Sequence, residues 1–252
     1  MSELMYLLAA FFLPLFPFSM AFNRLFDRVH NAELRALLLL AWPQFGLVLL
    51  NLTGDPIPTW IVPWALATAA LYAFRALALR EVGLWIGFLA TSAWAMLWLA
   101  AAPSVASDSA ELYALAFSIP FVLLALLAAW LERRMGAAYT DLFGGLAQNL
   151  PRFSGVLVVV VLAAVATPVF PSFFSLLFMV MKAIPTMPGA AAAIVGVWLL
   201  WSWAGARLVQ GLVVGPSGPD DVADFGGAAT WSMAIALTVI SVGGVYLIGE
   251  LP

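Results

Sequence analysis

Charged side chains inside apolar sequence are the residues of this chain that could guide a proton or an ion. Arg207 is the deepest of them, about two helical turns from the end of the apolar stretch WSWAGARLVQGLVVG. Arg75 lies about one turn inside its own apolar stretch, and Lys182 is the only lysine in the chain. Intramembrane charges are costly and usually functional. These three side chains are therefore candidates for an ion path or a subunit interface.

Each candidate also has a plainer interpretation. Arg75 lies where a long side chain can reach the headgroup region, and Lys182 fits an interfacial anchor. Arg207 has three alternatives: capping helix-end carbonyls, pairing with a carboxylate, or meeting lipid headgroups. We expect it to contact a carboxylate or carbonyls in a protein interface and not to face acyl chains. Glu111 is a further candidate, although its position is typical of a helix end, and His30 in the charged loop RLFDRVHNAELR is expected to be solvated.

No catalytic arrangement is evident in the sequence. We find no glycine-rich phosphate loop, no nucleophile paired with histidine and no cluster with metal-ligand spacing. The chain has no cysteine, which excludes disulfides and thiolate metal sites. A net charge of −3 without a basic cluster argues against nucleic acid as a partner. We therefore predict a protein that is not an enzyme and has no catalytic residue, cofactor or metal of its own.

The elements that carry these residues are predicted to be membrane helices. The 252 residues are 65% hydrophobic and only 9% charged, with a mean hydropathy of +1.06. Long apolar runs recur throughout, and because they are continuous instead of alternating they indicate helices and exclude a barrel. The sequence predicts an all-α polytopic membrane protein with one domain over residues 1–252 and about nine segments. These are 4–22, 34–52, 59–79, 82–102, 111–131, 154–168, 170–184, 189–213 and 229–249.

Two of these segments have special features. We read 4–22 as one retained helix and not a signal peptide, because Glu3 stands where a basic region would be expected. Segment 170–184 is too short for an ordinary crossing and is bracketed by prolines, which indicates either a discontinuous helix or a short tilted one. The bracketing prolines are Pro168, Pro171, Pro185 and Pro188.

The charges predict an orientation in the membrane. With nine crossings, nine of the ten basic residues, Lys182 included and Arg207 excepted, fall at odd-numbered connections. Asp55, Asp108, Glu111 and the group Asp220, Asp221 and Asp224 fall at even-numbered ones. The positive-inside rule then places the amino terminus outside and the carboxyl terminus in the cytoplasm, provided that segment 170–184 crosses fully. The expected location is the bacterial inner membrane.

One polar stretch, TDLFGGLAQNLPRFSG at residues 140–155, interrupts the apolar sequence. An apolar run follows it, and then ATPVFPSFFSLLF. Together they resemble the antiporter-like subunits of the complex I membrane arm, a family shared with Mrp antiporters and membrane-bound hydrogenases. The resemblance covers residues 138–215, and Arg207 and Gly215 fit its last part. The other matching positions are Asp141, Gly144, Gly145, Leu146, Pro151, Pro168, Phe173, Phe174 and Ser175.

The departures from the family are as informative as the matches. Proton-conducting members carry a lysine or glutamate directly after the position of Ser175, where this chain has Leu176. They also have an earlier helix with histidine and lysine, for which we find no counterpart, and about fourteen segments in all. The resemblance therefore implies a truncated subunit that keeps the packing scaffold without the proton path.

Three functions fit these observations. The favoured hypothesis is an accessory, non-catalytic membrane subunit of a proton- or cation-coupled complex, beside a full-length antiporter-like partner and membrane lipid. Candidate assemblies are complex I relatives, membrane-bound hydrogenases, Mrp-like antiporters and inorganic-carbon uptake systems, with a preference for the last. The alternatives are a self-sufficient ion-coupled transporter with its site near Lys182 and an assembly factor for a respiratory complex.

Overall fold

The described part of the chain is almost entirely helical. The computed structural model describes residues 2–54, 56–102, 110–140, 142, 144–216 and 222–248. Outside the helices, these residues contain one isolated β-bridge, between Glu81 and Tyr139. The helices are α1 Ser2–Phe12, α2 Ser19–Arg28, α3 Ala32–Thr53, α4 Ile61–Ala76, α5 Val82–Ala100, α6 Ala110–Met135, α7 Leu146–Asn149, α8 Pro151–Ala164, α9 Pro171–Thr186, α10 Pro188–Val213 and α11 Gly227–Ile248.

Nine of the described helices are apolar enough to lie in a membrane. Five are also long enough to cross it by length and composition: α3, α5, α6, α10 and α11. Four are shorter: α1, α4, α8 and α9. At 16 residues, α9 extends roughly 24 Å, which is less than the roughly 30 Å of a bilayer core. The predicted all-α membrane fold and the predicted short helix near residues 170–184 are confirmed.

Helix α5 lies at the centre of the bundle. It packs against α2, α4 and α6, and nearly all of its residues are buried. Its sequence, VGLWIGFLATSAWAMLWLA, is apolar on every side, as expected for a helix enclosed by other helices. Helices α3 and α11 are buried on a much smaller share of their surface, so they form the periphery.

The prediction of one continuous helix over residues 4–22 is wrong. Two helices, α1 and α2, replace it, with residues 13–18 between them. Pro14 and Pro17 explain the break, since a proline within a helix removes a backbone hydrogen bond and clashes with the preceding turn. The hydroxyl of Tyr6 donates to the carbonyl of Pro56, after α3, whereas Arg35 at the start of α3 donates to the carbonyl of Val29, after α2. Helices α1 and α2 therefore form one broken crossing that runs antiparallel to α3.

Helices α8 and α9 form a second broken crossing. The carboxylate of Asp224, just before α11, accepts hydrogen bonds from the backbone N–H groups of Arg152 and Phe153 at the start of α8. The N–H of Gly145, shortly before α8, donates to the carbonyl of Val214, so α8 starts beside the end of α10. Near the far end of α8, the carbonyl of Ala166 accepts a hydrogen bond from Trp198. Trp198 lies roughly 22 Å along α10 from Val213, and α8 is roughly 21 Å long. Helix α8 therefore ends inside the bundle, and α9 continues to the opposite side.

This arrangement corrects the predicted orientation of the carboxyl-terminal part. Segments 154–168 and 170–184 do not cross separately, so the connection with Asp224 lies beside Arg152 and not on the opposite side. The far end of α11 therefore lies on the same side as the start of α1. Lys182 also changes sides, and all nine arginines lie toward one end of the bundle, which we call the arginine face. They are Arg24, Arg28, Arg35, Arg75, Arg80, Arg133, Arg134, Arg152 and Arg207.

Candidate functional site

The buried polar groups of the bundle are almost all uncharged. Among the described residues, the buried polar side chains are Ser19, Asn23, Arg35, Thr68, Thr91, Ser92, Ser118, Thr140, Ser154, Ser172 and Ser175. Arg35 is the only charged member of this group, and it lies at the arginine face. Within the described ranges, no lysine, carboxylate or histidine is buried. An ion path needs intramembrane ionisable groups, and the described interior offers none at mid-depth.

Hydroxyl and indole groups bond to one another in the centre of the bundle. Trp201 donates from Nε1 to the hydroxyl of Ser92 at 2.8 Å, and Ser92 donates in turn to the carbonyl of Ala69 at 2.7 Å. In the same way, Trp94 donates to the hydroxyl of Ser118 at 3.0 Å. These bonds satisfy polar groups that would each cost free energy if they were buried alone. They join α4, α5, α6 and α10 and contain no group that titrates near neutral pH.

A second polar cluster joins α2 to α4 and α5. Asn23 donates from Nδ2 to the carbonyl of Ser19 and to the hydroxyl of Thr91, both at 2.9 Å. The hydroxyls of Ser19 and Tyr72 lie 2.8 Å apart. A β-carbon on Gly87 would lie 2.9 Å from Asn23 Oδ1, so glycine at this position lets the amide lie against α5. The cluster holds α2 against the central helix.

Tryptophans cap the carbonyls at the first helix break. Trp42 donates from Nε1 to the carbonyl of Phe11 at 3.2 Å, and Trp98 to that of Leu13 at 2.9 Å. Trp64 donates to the carbonyl of Phe16 at 2.8 Å. A broken helix exposes carbonyls that must be satisfied in the membrane, and transporters use such carbonyls to coordinate cations. Here indole N–H groups bind these three carbonyls.

The second break is capped in the same manner. Trp198 donates from Nε1 to the carbonyls of Val165 at 3.2 Å and Ala166 at 3.0 Å. Ser172 donates to the carbonyl of Ala163 at 2.8 Å. The backbone is strained here, because Ala166 and Val169 have φ angles of 56° and 91°, which L residues rarely adopt. The hydrophobic pattern gave no sign that tryptophans would serve both breaks, although Pro14, Pro17, Pro168 and Pro171 mark the breaks in the sequence.

The motif residues of the second break lie close together. Pro168 falls in the junction, and the ring of Phe173 packs on Trp198 with 5.4 Å between centroids. Ser175 donates back to the carbonyl of Pro171 at 3.0 Å. Leu176 is completely buried. An apolar side chain therefore fills the position at which the family resemblance expects an ionisable group in conducting members.

Gly144 and Gly145, in the polar stretch 140–155, pack against the backbone that follows α10. Gly145 has a φ of 70° and accepts no side chain, because a β-carbon would lie 2.5 Å from the carbonyl oxygen of Gly215. Its N–H donates to the carbonyl of Val214 at 3.3 Å. Gly144 has only an ordinary contact at 3.5 Å for the same added carbon. Pro151 then starts α8 at a position where no backbone donor is needed.

Arg207 lines a cavity at the arginine face. Its side chain is exposed, and its neighbours across the cavity include Arg80, Trp85 and the last turn of α4. Within the described ranges, the structure gives Arg207 no hydrogen bond or ion pair. Asp224, which follows Arg207 in the sequence, accepts hydrogen bonds at the start of α8 instead of pairing with Arg207. Asp220 and Asp221 lie outside the described residues.

The other candidates occupy separate places. The guanidinium of Arg75 lies 5.3 Å from the ring centre of Phe88, at the arginine face. Lys182 lies on the opposite half of the bundle, with Nζ 5.2 Å from the ring centre of Phe178. Glu111 accepts a hydrogen bond from Asn51 Nδ2 at 3.0 Å and ties α6 to the end of α3. Asp141 lies outside the described residues. The structure therefore does not join these candidates into one site.

One ion pair was missed by the sequence analysis. Arg35, at the start of α3, lies 3.4 Å from the carboxylate of Glu132 near the end of α6, and only 3% of its side chain is exposed. Its guanidinium also lies 5.5 Å from the ring centre of Phe26. The partners are 97 positions apart in the chain. The sequence showed only that both residues lie at segment ends. In the structure, the contacts of Arg35 join α2, α3 and α6 at the arginine face.

A short bridge closes the loops at this face. Val82 donates from its backbone N–H to the carbonyl of Ala138, and Thr140 to that of Arg80. The hydroxyl of Tyr139 donates to Glu81 Oε2 at 3.1 Å. This hydrogen bond and the negative charge of Glu81 raise the pKa of the Tyr139 phenol above its ordinary value. The phenol therefore remains neutral and keeps its hydrogen bond throughout the physiological pH range.

Comparison with known proteins places this geometry in a known architecture. No family model and no curated protein matches the chain. A chain of respiratory complex I from Thermus thermophilus aligns with a TM-score of 0.80 and 20% identity over 96% of this chain and 54% of that one. A chain of the Mrp complex from Dietzia sp. DQ12-45-1b gives 0.80 and 18% over 98% and 57%. The chain has the antiporter-like membrane-subunit fold.

A third structure extends the same result. A chain of the membrane-bound sulfane sulfur reductase, an archaeal respiratory membrane complex, aligns with a TM-score of 0.76 and 17% identity over 96% of this chain and 52% of that one. The antiporter-like fold therefore extends well beyond residues 138–215, on which the sequence resemblance rested. This chain spans about half the length of the chains that it matches.

Proposed function

We propose that the chain is an accessory, non-conducting membrane subunit of a proton- or cation-coupled complex. The observation that carries this proposal is the occupation of both helix breaks by tryptophan. Carbonyls at a broken helix are a natural place for a cation, but five of them here accept indole hydrogen bonds. A cation at these carbonyls would have to displace the indole donors.

The described residues include no buried lysine, carboxylate or histidine, which supports the same proposal. A proton relay needs groups that gain and lose a proton near neutral pH, and these are normally carboxylates, histidines or lysines. The central network of Ser92, Trp94, Ser118 and Trp201 contains only hydroxyl and indole groups. It holds helices together without offering a titratable site.

The proposed partner is a full-length antiporter-like protein in the same membrane. The shared fold supports this partner, since the matched chains come from multisubunit complexes. We propose an inorganic-carbon uptake complex, in which the partner conducts the ion and this chain stabilises it. The chain would reside in the bacterial inner membrane. The gathering of all nine arginines at one face supports placing that face in the cytoplasm and the start of α1 outside.

Affinity purification in mild detergent tests the proposal. The tagged full chain is purified from its native membrane, and the proteins that accompany it are identified and quantified. We expect an antiporter-like protein in a fixed ratio to this chain, retained after size-exclusion chromatography. A tagged, unrelated polytopic protein from the same membrane is the control.

Other results would contradict the proposal. Recovery of the chain with folding factors, and its absence from the mature complex, would identify an assembly factor. Recovery of the chain alone from an intact native membrane would remove the basis for a subunit role.

A further inference from the structure

A cleft between α2, α4 and α5 opens on the bundle surface near the arginine face, and we call it the α2–α4 cleft. Its volume is about 460 Å³. Charged and apolar side chains line it together, among them Met20, Arg24, Asp27, Arg28, Arg75 and Phe88. The four charged side chains in this group are all exposed. The side of the bundle that contains the cleft is therefore poorly suited to contact with acyl chains.

The α2–α4 cleft carries a net positive charge. Its lining combines three arginines with one carboxylate, that of Asp27, and within the described ranges none of these four side chains has an ion pair or a hydrogen bond. The ends of α2 and α4 each add about half a negative charge, and the start of α5 adds about half a positive charge. The sum remains positive, so the cleft favours a group with negative charge.

The guanidinium of Arg75 points into the membrane. It lies 5.3 Å from the ring centre of Phe88, which is roughly 9 Å along α5 from the start of that helix. At 19 residues, α5 is roughly 28 Å long, close to the thickness of the hydrocarbon core, so its start lies near the headgroups. Helical side chains also lean toward the start of their helix, which for α4 is on the opposite side. The charge of Arg75 is therefore held below the headgroup level.

The depth of this charge indicates the kind of partner. Charged side chains within a membrane usually pair with one another or face a bundle interior, yet Arg75 is exposed and has no ion pair among the described residues. Arg24, roughly 6 Å from the end of α2, lines the same cleft.

A lipid phosphate stays at the membrane surface, whereas a helix can carry a carboxylate to the depth of Arg75. We propose that the α2–α4 cleft receives a membrane helix of the partner subunit, and that a carboxylate of this helix pairs with Arg75 and Arg24. The apolar side chains of Met20 and Phe88 then pack against the same helix. This inference rests on the proposed function, because it requires a partner in the same membrane.

Quantitative purification of the tagged full chain from its native membrane in mild detergent tests this inference. We expect Arg75→Glu to lower the amount of antiporter-like protein retained per chain by about tenfold or more, because like charges then meet. Arg75→Lys keeps the charge and should retain much more of that protein. Arg134→Glu is the matched control, since Arg134 is exposed outside the cleft and its guanidinium lies 5.6 Å from the ring centre of Trp130. It should retain the wild-type amount.

A second measurement does not depend on reversing a charge. Leu84 also lines the α2–α4 cleft, and a photo-crosslinking amino acid in its place should attach the same antiporter-like protein in intact membranes. An unchanged elution volume verifies that each purified variant is folded.

Four results would overturn the inference. Normal retention of the partner by folded Arg75→Glu, without a crosslink from position 84, would place the interface elsewhere and leave the proposed function standing. Equal losses in Arg75→Glu and Arg134→Glu would show a diffuse effect of surface charge. Loss of copurified phosphatidylglycerol from Arg75→Glu, with the partner retained, would assign the cleft to anionic lipid. Recovery of the wild-type chain without an antiporter-like protein would contradict the proposed function and this inference together.

Discussion

At the residue scale, Leu176 stands at the position where the sequence resemblance expects an ionisable side chain in proton-conducting proteins. Replacement by lysine would restore the type of side chain expected there, but in a site that is completely buried. An unpaired ammonium at mid-membrane costs about 3 kcal/mol even on lenient insertion scales. We therefore expect Leu176→Lys to lower the unfolding free energy by about that amount.

Leu176→Met provides the control for this experiment. It conserves volume and polarity and should cost less than about 1.5 kcal/mol. Denaturant unfolding of both variants in the same detergent makes the comparison. Equal stability of the two variants would mean that position 176 is hydrated, which would contradict a water-free environment around this position of α9.

Alanine variants of Gly145 and of its neighbour Gly144 provide a second test at the residue scale. Gly145→Ala would force a β-carbon to 2.5 Å from the carbonyl oxygen of Gly215, at a φ of 70°. The left-handed backbone alone costs about 1–2 kcal/mol for an L residue, and the clash adds to it. Gly144→Ala meets only a 3.5 Å contact. We expect a clear drop in melting temperature for Gly145→Ala and little change for Gly144→Ala, whereas equal drops would indicate a general need for flexibility.

At the scale of elements, the tryptophan caps should stabilise the broken helices. Trp198→Phe removes the donor of two carbonyls, those of Val165 and Ala166. We expect a loss of about 1–3 kcal/mol in unfolding free energy. Hydrogen exchange should also become faster at residues 165–170, because the junction loses its support. Both quantities can be measured on the purified chain.

Trp203→Phe is the matched control for Trp198→Phe. Trp203 lies on the same helix and is 59% exposed, so its replacement should change the unfolding free energy by less than about 0.5 kcal/mol. If Trp198→Phe behaves like this control, then water or another group satisfies the junction. The carbonyls would in that case remain open to a cation, contrary to the proposed function.

The sequence predicted the positions of most helices, but not which helices are broken or share one crossing of the membrane. Composition and long apolar runs were sufficient for the all-α membrane fold and for the positions of most helices. Prolines were weighed at 170–184 but not at Pro14 and Pro17, where the same physical effect splits the first helix. Nothing local shows that two short helices lie end to end, because that depends on which partners they meet. The pairing of Arg35 with Glu132 is equally invisible, since hydropathy carries no information on contacts between distant segments.

At the scale of the whole molecule, the two broken crossings decide which loops share a side. The contact of Asp224 with Arg152 predicts that the loop before α11 lies on the arginine face. The chain has no cysteine, so single cysteines can be introduced without background. We expect His30→Cys and Ala223→Cys to react with a membrane-impermeant maleimide from one side of the membrane, and Glu3→Cys from the other. Labelling of Ala223→Cys on the side of Glu3→Cys would instead support nine separate crossings.

The central claim is that this chain conducts neither protons nor cations on its own. Proton flux into liposomes that contain only the purified chain tests it most directly. A pH-sensitive dye is enclosed, and a potassium diffusion potential drives any flux, with empty liposomes as the baseline and a proton ionophore as the upper limit. We predict flux equal to that of empty liposomes, with and without a sodium gradient. Potential-driven acidification above that baseline, proportional to the amount of protein, would identify a self-sufficient transporter and contradict the account.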